Sequence, residues 1–123
     1  MGSDATVALG ISGENLACDA LTRQGYAILA RRYRTRAGEI DIVARDGETL
    51  VFVEVKTRTS ERFGPPAEAV TERKKRRVVS MARWYLTEFE LHGCLCRFDV
   101  VSVMCRPGLV PEIEVVKDAF QVG

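Results

Sequence analysis

Histidine is nearly absent from this chain: His92 is the only one. Histidine-rich zinc sites and Ser–His or Cys–His nucleophile pairs therefore lose their usual partner. Cysteine occurs four times, at Cys18, Cys94, Cys96 and Cys105, but never as a CxxC pair. That spacing is poor for zinc and reads as reduced, structural thiols; only the close pair Cys94 and Cys96 leaves redox or metal sensitivity open. No apolar run approaches the roughly 18 residues that cross a bilayer. The opening "MGSDATVALG" has neither a basic n-region nor a long apolar h-region, so no secretory signal is read there. A cytoplasmic protein with no membrane partner is expected. Repeats, low-complexity tracts and long linkers are missing too. The net charge is only +1, so nothing global marks a nucleic-acid binder.

What is present suffices for a real core: 46% of the 123 residues are hydrophobic, which excludes a disordered chain and suits one domain. Residues 1–10 are expected as a flexible lead and 11–123 as the single domain. "SGENLACDALTRQ" (12–24) reads as a helix capped by Ser12, with Leu16, Ala17, Ala20 and Leu21 on its apolar face and Gly25 ending it. Strands follow at 26–33, 39–45 and 49–57, with Asp46-Gly47 as the hairpin turn between the last two. "TSERFGPPAEA" (59–69) reads as a loop stiffened by Pro65 and Pro66. A helix over 71–91, capped by Thr71 and stopped by His92-Gly93, buries Val78, Ala82, Tyr85 and Phe89. Strands at 96–104 and 112–116 complete an α/β fold, a mixed β-sheet flanked by helices in the order α-β-β-β-α-β-β. The step from strand 49–57 through the long helix to strand 96–104 should be a right-handed crossover between parallel strands.

One strand carries charges where apolar residues are expected. In "LVFVEVKTR" (50–58) Glu54 and Lys56 share a face with Leu50 and Phe52. If Asp46-Gly47 is a two-residue turn, Arg45 pairs with Glu48, Asp41 with Phe52 and Glu39 with Glu54. Asp41, Glu54 and Lys56 then converge; a one-residue slip would send Asp41 to the other face. Two carboxylates beside an ammonium suit Mg²⁺ or Mn²⁺ and phosphodiester hydrolysis. They equally suit a salt-bridge cluster at strand ends, and the residues alone leave both readings open.

The stretch "GEIDIVARDGETLVFVEVKTR" strongly resembles the YraN family of bacterial proteins. "FGPPAEAVTERKKRRVVSMARWYL", "CRFDVVSV" and "VVKDAF" extend that resemblance over nearly the whole chain. The family in turn resembles the PD-(D/E)XK nucleases, and among them the archaeal Holliday junction resolvases. The resemblance implies a restriction-endonuclease-like core. It implies Asp41 and Glu54 as metal ligands, completed by the main-chain carbonyl of Val55, with Lys56 as the catalytic lysine. Glu14, in "SGENLACDAL", stands where the superfamily often adds an acid from its first helix; the alternative is a charge favoured by the helix dipole. Ile40 stands where the motif's proline would be, a proline that is often missing. Glu39 is either a supporting acid or a solvated partner of an arginine.

Basic residues are segregated into two clusters, Arg31, Arg32, Arg34 and Arg36, and Arg73, Lys74, Lys75, Arg76 and Arg77. The second opens a helix, where positive charge opposes the dipole, so a purely solvated role is unattractive. Lys74, one turn before Val78, should lean toward the site. Phosphate binding is expected for Arg73–Arg77, Arg34 and Arg36. Trp84, Tyr85 and Phe89 read as core rather than as stacking platforms. The function expected is a Mg²⁺- or Mn²⁺-dependent DNA endonuclease acting on branched or structured DNA, paired as a homodimer. The alternative is a nucleic-acid-binding module, or an adaptor of a DNA-processing assembly, without nuclease activity of its own.

Overall fold

A computed structural model describes residues 2–59 and 71–120, with side chains from Gly13 onward. Helix α1 (Gly2–Arg23) is longer than expected and runs through Ser12 instead of starting there. Its end matches the expectation. Gly25 takes φ +94°, its N–H donates to the carbonyl of Thr22, and the N–H of Tyr26 donates to that of Leu21. That pairing closes the helix with a left-handed glycine. Ala17, Cys18 and Leu21 are buried beneath it.

Among the described residues five strands follow the expected order: β1 (Ala27–Thr35), β2 (Gly38–Asp46), β3 (Thr49–Arg58), β4 (Cys96–Met104) and β5 (Glu112–Val116). They form one sheet in the order β1-β2-β3-β4-β5. Only β3 and β4 are parallel, joined by helix α2 (Glu72–Glu88). The Pro65–Pro66 loop expected between them lies outside the described residues. The sheet separates two cores. Leu50, Phe52 and Val43 pack with Val78, Met81, Ala82 and Tyr85 of α2, and Val51, Val53, Val101 and Val103 pack with Ala17 and Leu21 of α1. Being covered on both faces, β3 and β4 need continuous apolar runs, which is how their sequences read. Among the described residues no helix is long and apolar enough to cross a membrane.

Thr71 caps α2 by accepting from the Lys74 N–H. The helix stops short of His92-Gly93. Glu90 adopts a left-handed φ of +53° and the Leu91 N–H donates to the Leu86 carbonyl, so the chain turns out at Phe89. Phe89, at the turn, is 49% exposed and Trp84, within the helix, is 47% exposed, while Tyr85 is buried. Only the last of these three belongs to the core as expected.

The β2–β3 register departs from expectation by two residues. Asp46 faces Thr49 and Arg45 faces Leu50, leaving Gly47 and Glu48 as the loop, with Gly47 at φ +62°. Asp46 ends the strand because its carboxylate accepts from Arg97 Nη2 at 2.9 Å. An even slip moves each partner along the strand and leaves every side chain on its face.

Helix α1 approaches β3 closely at Gly13. A Cβ there would fall 2.1 Å from Thr57 Oγ1, an overlap that forces the Thr57 side chain, the helix or the strand to shift. Gly13→Ala is expected to cost about 1–3 kcal/mol in urea unfolding, with partial rescue by Thr57→Ala. Wild-type stability in the single variant would show that the approach is not tight.

Candidate active site

The β2–β3 ladder ends at Ile42 and Val53. One step further along β2 is Asp41, whose Oδ2 accepts from the main-chain N–H of Val55 at 2.8 Å. The carboxylate thus takes a place where a strand partner's carbonyl would otherwise serve. Alternation also breaks here: Ile40 and Val43, three apart, both pack on the α2 side, whereas Ile42 packs on the α1 side. Across the sheet edge Arg32 stands in a left-handed conformation, φ +51°, uncommon for a residue with a Cβ. Irregularities of this kind re-aim side chains and concentrate at functional sites.

Glu54 projects from β3 toward α2. Its Oε1 receives the Lys74 ammonium in a very close ion pair and lies 3.6 Å from Lys56 Nζ. All three side chains are largely shielded from water. Burial first, and then the repulsion of Glu54, pushes the Asp41 carboxyl up to about 7 against the pull of the Val55 amide. Burial, and then the neighbouring Lys74, holds the Lys56 amine below its ordinary range. Burial penalises Lys74 most, yet its contacts with Glu54 and Lys56 and the charge of Asp41 together raise it. Asp41 and Glu54 therefore stand as electrostatic neighbours, Lys56 lies beside Glu54, and Lys74 leans in as the fourth member.

Glu14 is buried near them, and its charge reaches Asp41. Its carboxylate, however, is held by Arg31 Nε at 3.2 Å and Arg32 Nε at 3.1 Å. Two consecutive strand residues ordinarily point to opposite faces; the left-handed turn at Arg32 is associated here with both reaching one acid. Among the described residues, no group of three or more His, Cys, Asp and Glu side chains stands close enough to hold a metal ion. Two carboxylates and a main-chain carbonyl are a smaller set, and Mg²⁺ commonly keeps waters and needs only one or two carboxylates.

Residues 13–103 match the model of the family described as "Uncharacterised protein family UPF0102". The chain belongs to that family. A UPF0102 protein of Geobacter metallireducens is 50% identical over 116 residues, covering 94% of this chain and 93% of that protein. One from Rhodococcus opacus is 49% identical over 114 residues, 93% and 97% of the two chains. A third, from Symbiobacterium thermophilum, is 46% identical over 112 residues, 91% and 95%. The span matched by the UPF0102 model includes Glu14, Asp41, Glu54, Lys56 and Lys74.

The remaining basic residues of this UPF0102 chain divide between pairing and exposure. Lys75 pairs with Glu72 at 3.1 Å and lies over the Phe120 ring. Arg73, Arg76 and Arg77 are exposed. Arg34 pairs across the strands with Glu39 at 3.3 Å, so Glu39 stands as an arginine's partner instead of joining Asp41 and Glu54. The sequence marks Arg31 and Arg32 as basic but not as Glu14's partners. The signal it holds is an acid on α1 opposite an adjacent arginine pair, and nothing local shows that they meet.

Proposed function

We propose that this protein is a metal-dependent nuclease acting on branched or structured DNA. The observation that carries the proposal is the meeting of Asp41 and Glu54 at the end of the β2–β3 ladder, beside Lys56 and Lys74. The resemblance of the "GEIDIVARDGETLVFVEVKTR" stretch to the YraN family, which in turn resembles the PD-(D/E)XK nucleases, supports it. Asp41, Glu54 and the Val55 carbonyl are the groups that would hold Mg²⁺ or Mn²⁺. Their chemistry fits: hard oxygens, one of them on a carboxyl whose elevation a divalent cation would relieve. Bound there, the ion would polarise the scissile phosphate and acidify a water. The chain's own residues supply the rest. Lys56, beside Glu54, is placed to orient the attacking water or to stabilise charge developing on the phosphate. Lys74, kept charged by Glu54, offers fixed positive charge to the phosphate. Arg73 and Arg77 extend that charge outward along α2.

Incubation with a synthetic four-way junction and Mg²⁺ or Mn²⁺ tests this. Cleavage is expected, and Glu54→Gln and Lys56→Ala should each lower its rate by about a hundredfold or more with the circular dichroism spectrum unchanged. If neither metal supports cutting of branched, single-stranded or duplex DNA, the nuclease reading falls. A second reading, a DNA-binding module or adaptor without activity of its own, draws on Glu54 being held by two lysines. Salt-dependent DNA binding without cleavage would favour it.

A further inference from the structure

The chain's single tryptophan, Trp84, is not in the core. It lines a shallow pocket of about 400 Å³ together with Tyr33, Arg34, Thr35, Arg36 and Glu88. The pocket lies between the edge strand β1 and α2. Tyr33 packs edge-on against Tyr85 and donates its hydroxyl to Glu88, which fixes one wall. Arg34 gives its Nε to Glu39, yet its side chain is 86% exposed, leaving most of the guanidinium fork to solvent. Trp84 is 47% exposed.

Arg73, Arg77 and Trp84 recur at i, i+4 and i+11, one flank of α2. That flank faces the β1–β2 turn: a Cβ on Gly38 would sit 3.4 Å from Arg77 Cδ. From Lys74, beside Glu54, to Trp84 the helix rises about 15 Å. About four nucleotides at duplex rise cover that distance, and fewer in an extended strand. Basic side chains that track a backbone, with an aromatic face at hand for a base, are the usual elements of single-strand recognition.

We propose that the Trp84–Arg34–Arg36 pocket binds an unpaired nucleotide of a DNA strand that leads along α2 to the Asp41–Glu54 site. The base stacks on Trp84, and Arg34 and Arg36 hold its phosphates. The direction toward that site rests on the nuclease reading; the pocket's affinity for an unpaired strand does not.

Trp84 reports its own occupancy. Titration with a single-stranded octanucleotide in EDTA, where hydrolysis is stopped, should quench indole emission in a salt-dependent way. An abasic octamer of equal length should bind by anisotropy without that quench, and a blunt duplex should quench far less. Trp84→Leu should weaken single-strand binding about tenfold, with Trp84→Phe largely restoring it. Arg34→Ala with Arg36→Ala should flatten the salt dependence. Single-strand binding by anisotropy with unchanged emission would overturn the proposal. So would equal quenching by the abasic strand. A shift in emission on raising protein concentration alone, with none on adding DNA, would also overturn it and mark the pocket as a contact between copies of the chain. Quenching without any metal-supported cleavage retains the pocket and removes the nuclease reading. Cleavage without quenching does the reverse.

Discussion

Asp99→Ala is expected to destabilise the fold by about 3–5 kcal/mol, a large part of what a domain of this size has. Asp99 is fully buried yet thoroughly satisfied. It accepts from Tyr26 Oη at 2.7 Å, Arg97 Nε at 2.8 Å, Arg97 Nη2 at 3.0 Å and the Asp118 N–H at 2.9 Å. Arg97 Nη2 also reaches Asp46, tying in the β2–β3 hairpin. Burial first, and then the bond to Asp99, raises the Tyr26 phenol well above its ordinary range. Removing the carboxylate strands a buried hydroxyl and loosens a guanidinium, each costly without a partner. The residues following β5 would lose their anchor as well. Urea unfolding with an unchanged m-value measures the effect; a loss below about 1 kcal/mol would show that the network is replaceable.

Asp41→Asn is expected to act in the opposite direction on stability while removing the proposed activity. The folded carboxyl stands at about 7, well above the roughly 4 of an unfolded chain. Between those values the folded protein holds a proton that the unfolded chain has released. Stability from this group therefore falls as pH rises from about 4 to about 7, and the penalty is complete above that. Asparagine keeps an oxygen for the Val55 N–H and carries no charge. In EDTA the variant should be more stable than wild type by about 1–3 kcal/mol at pH 8, with the difference vanishing near pH 4. Mg²⁺ should then stabilise wild type at pH 8 and not the variant, as ligand binding to the folded state requires. Equal unfolding curves at pH 8 would show that Asp41 carries no electrostatic penalty. A variant that still cuts DNA at the wild-type rate would remove Asp41 from the chemistry. Opposite movements of stability and activity are the usual mark of a residue kept for function.

Most of the framework is legible in the sequence because it depends on local period and punctuation. The bounds of β4 and β5, the glycine stop of α1 and the Thr71 cap all follow from patterns within a few residues. The end of α2 departs from its pattern because a glutamate, Glu90, takes the left-handed position that glycine usually fills. The hairpin register differs by two residues because Asp46-Gly47 is a strong turn signal in isolation, whereas Asp46 is claimed by Arg97, fifty-one residues away. Trp84 reads as core on apolar character alone, but where a helical residue points depends on how the helix rolls against its sheet.

The strand alternation alone determines that Glu54 and Lys56 share the face of Phe52, and that conclusion survives the register difference because the side-chain period is two. That face is a property of the sequence by itself. The meeting of Asp41 with Glu54 needs the β2–β3 pairing, and the cations around the pair need the packing of the helices. Lys74 on Glu54, Arg31 and Arg32 on Glu14, and Glu39 on Arg34 are choices among several chemically equivalent partners. Long basic side chains reach many acids equally well in sequence. The packing of α2 over the sheet, the β1–β2 register and the left-handed turn at Arg32 decide which acid each one meets.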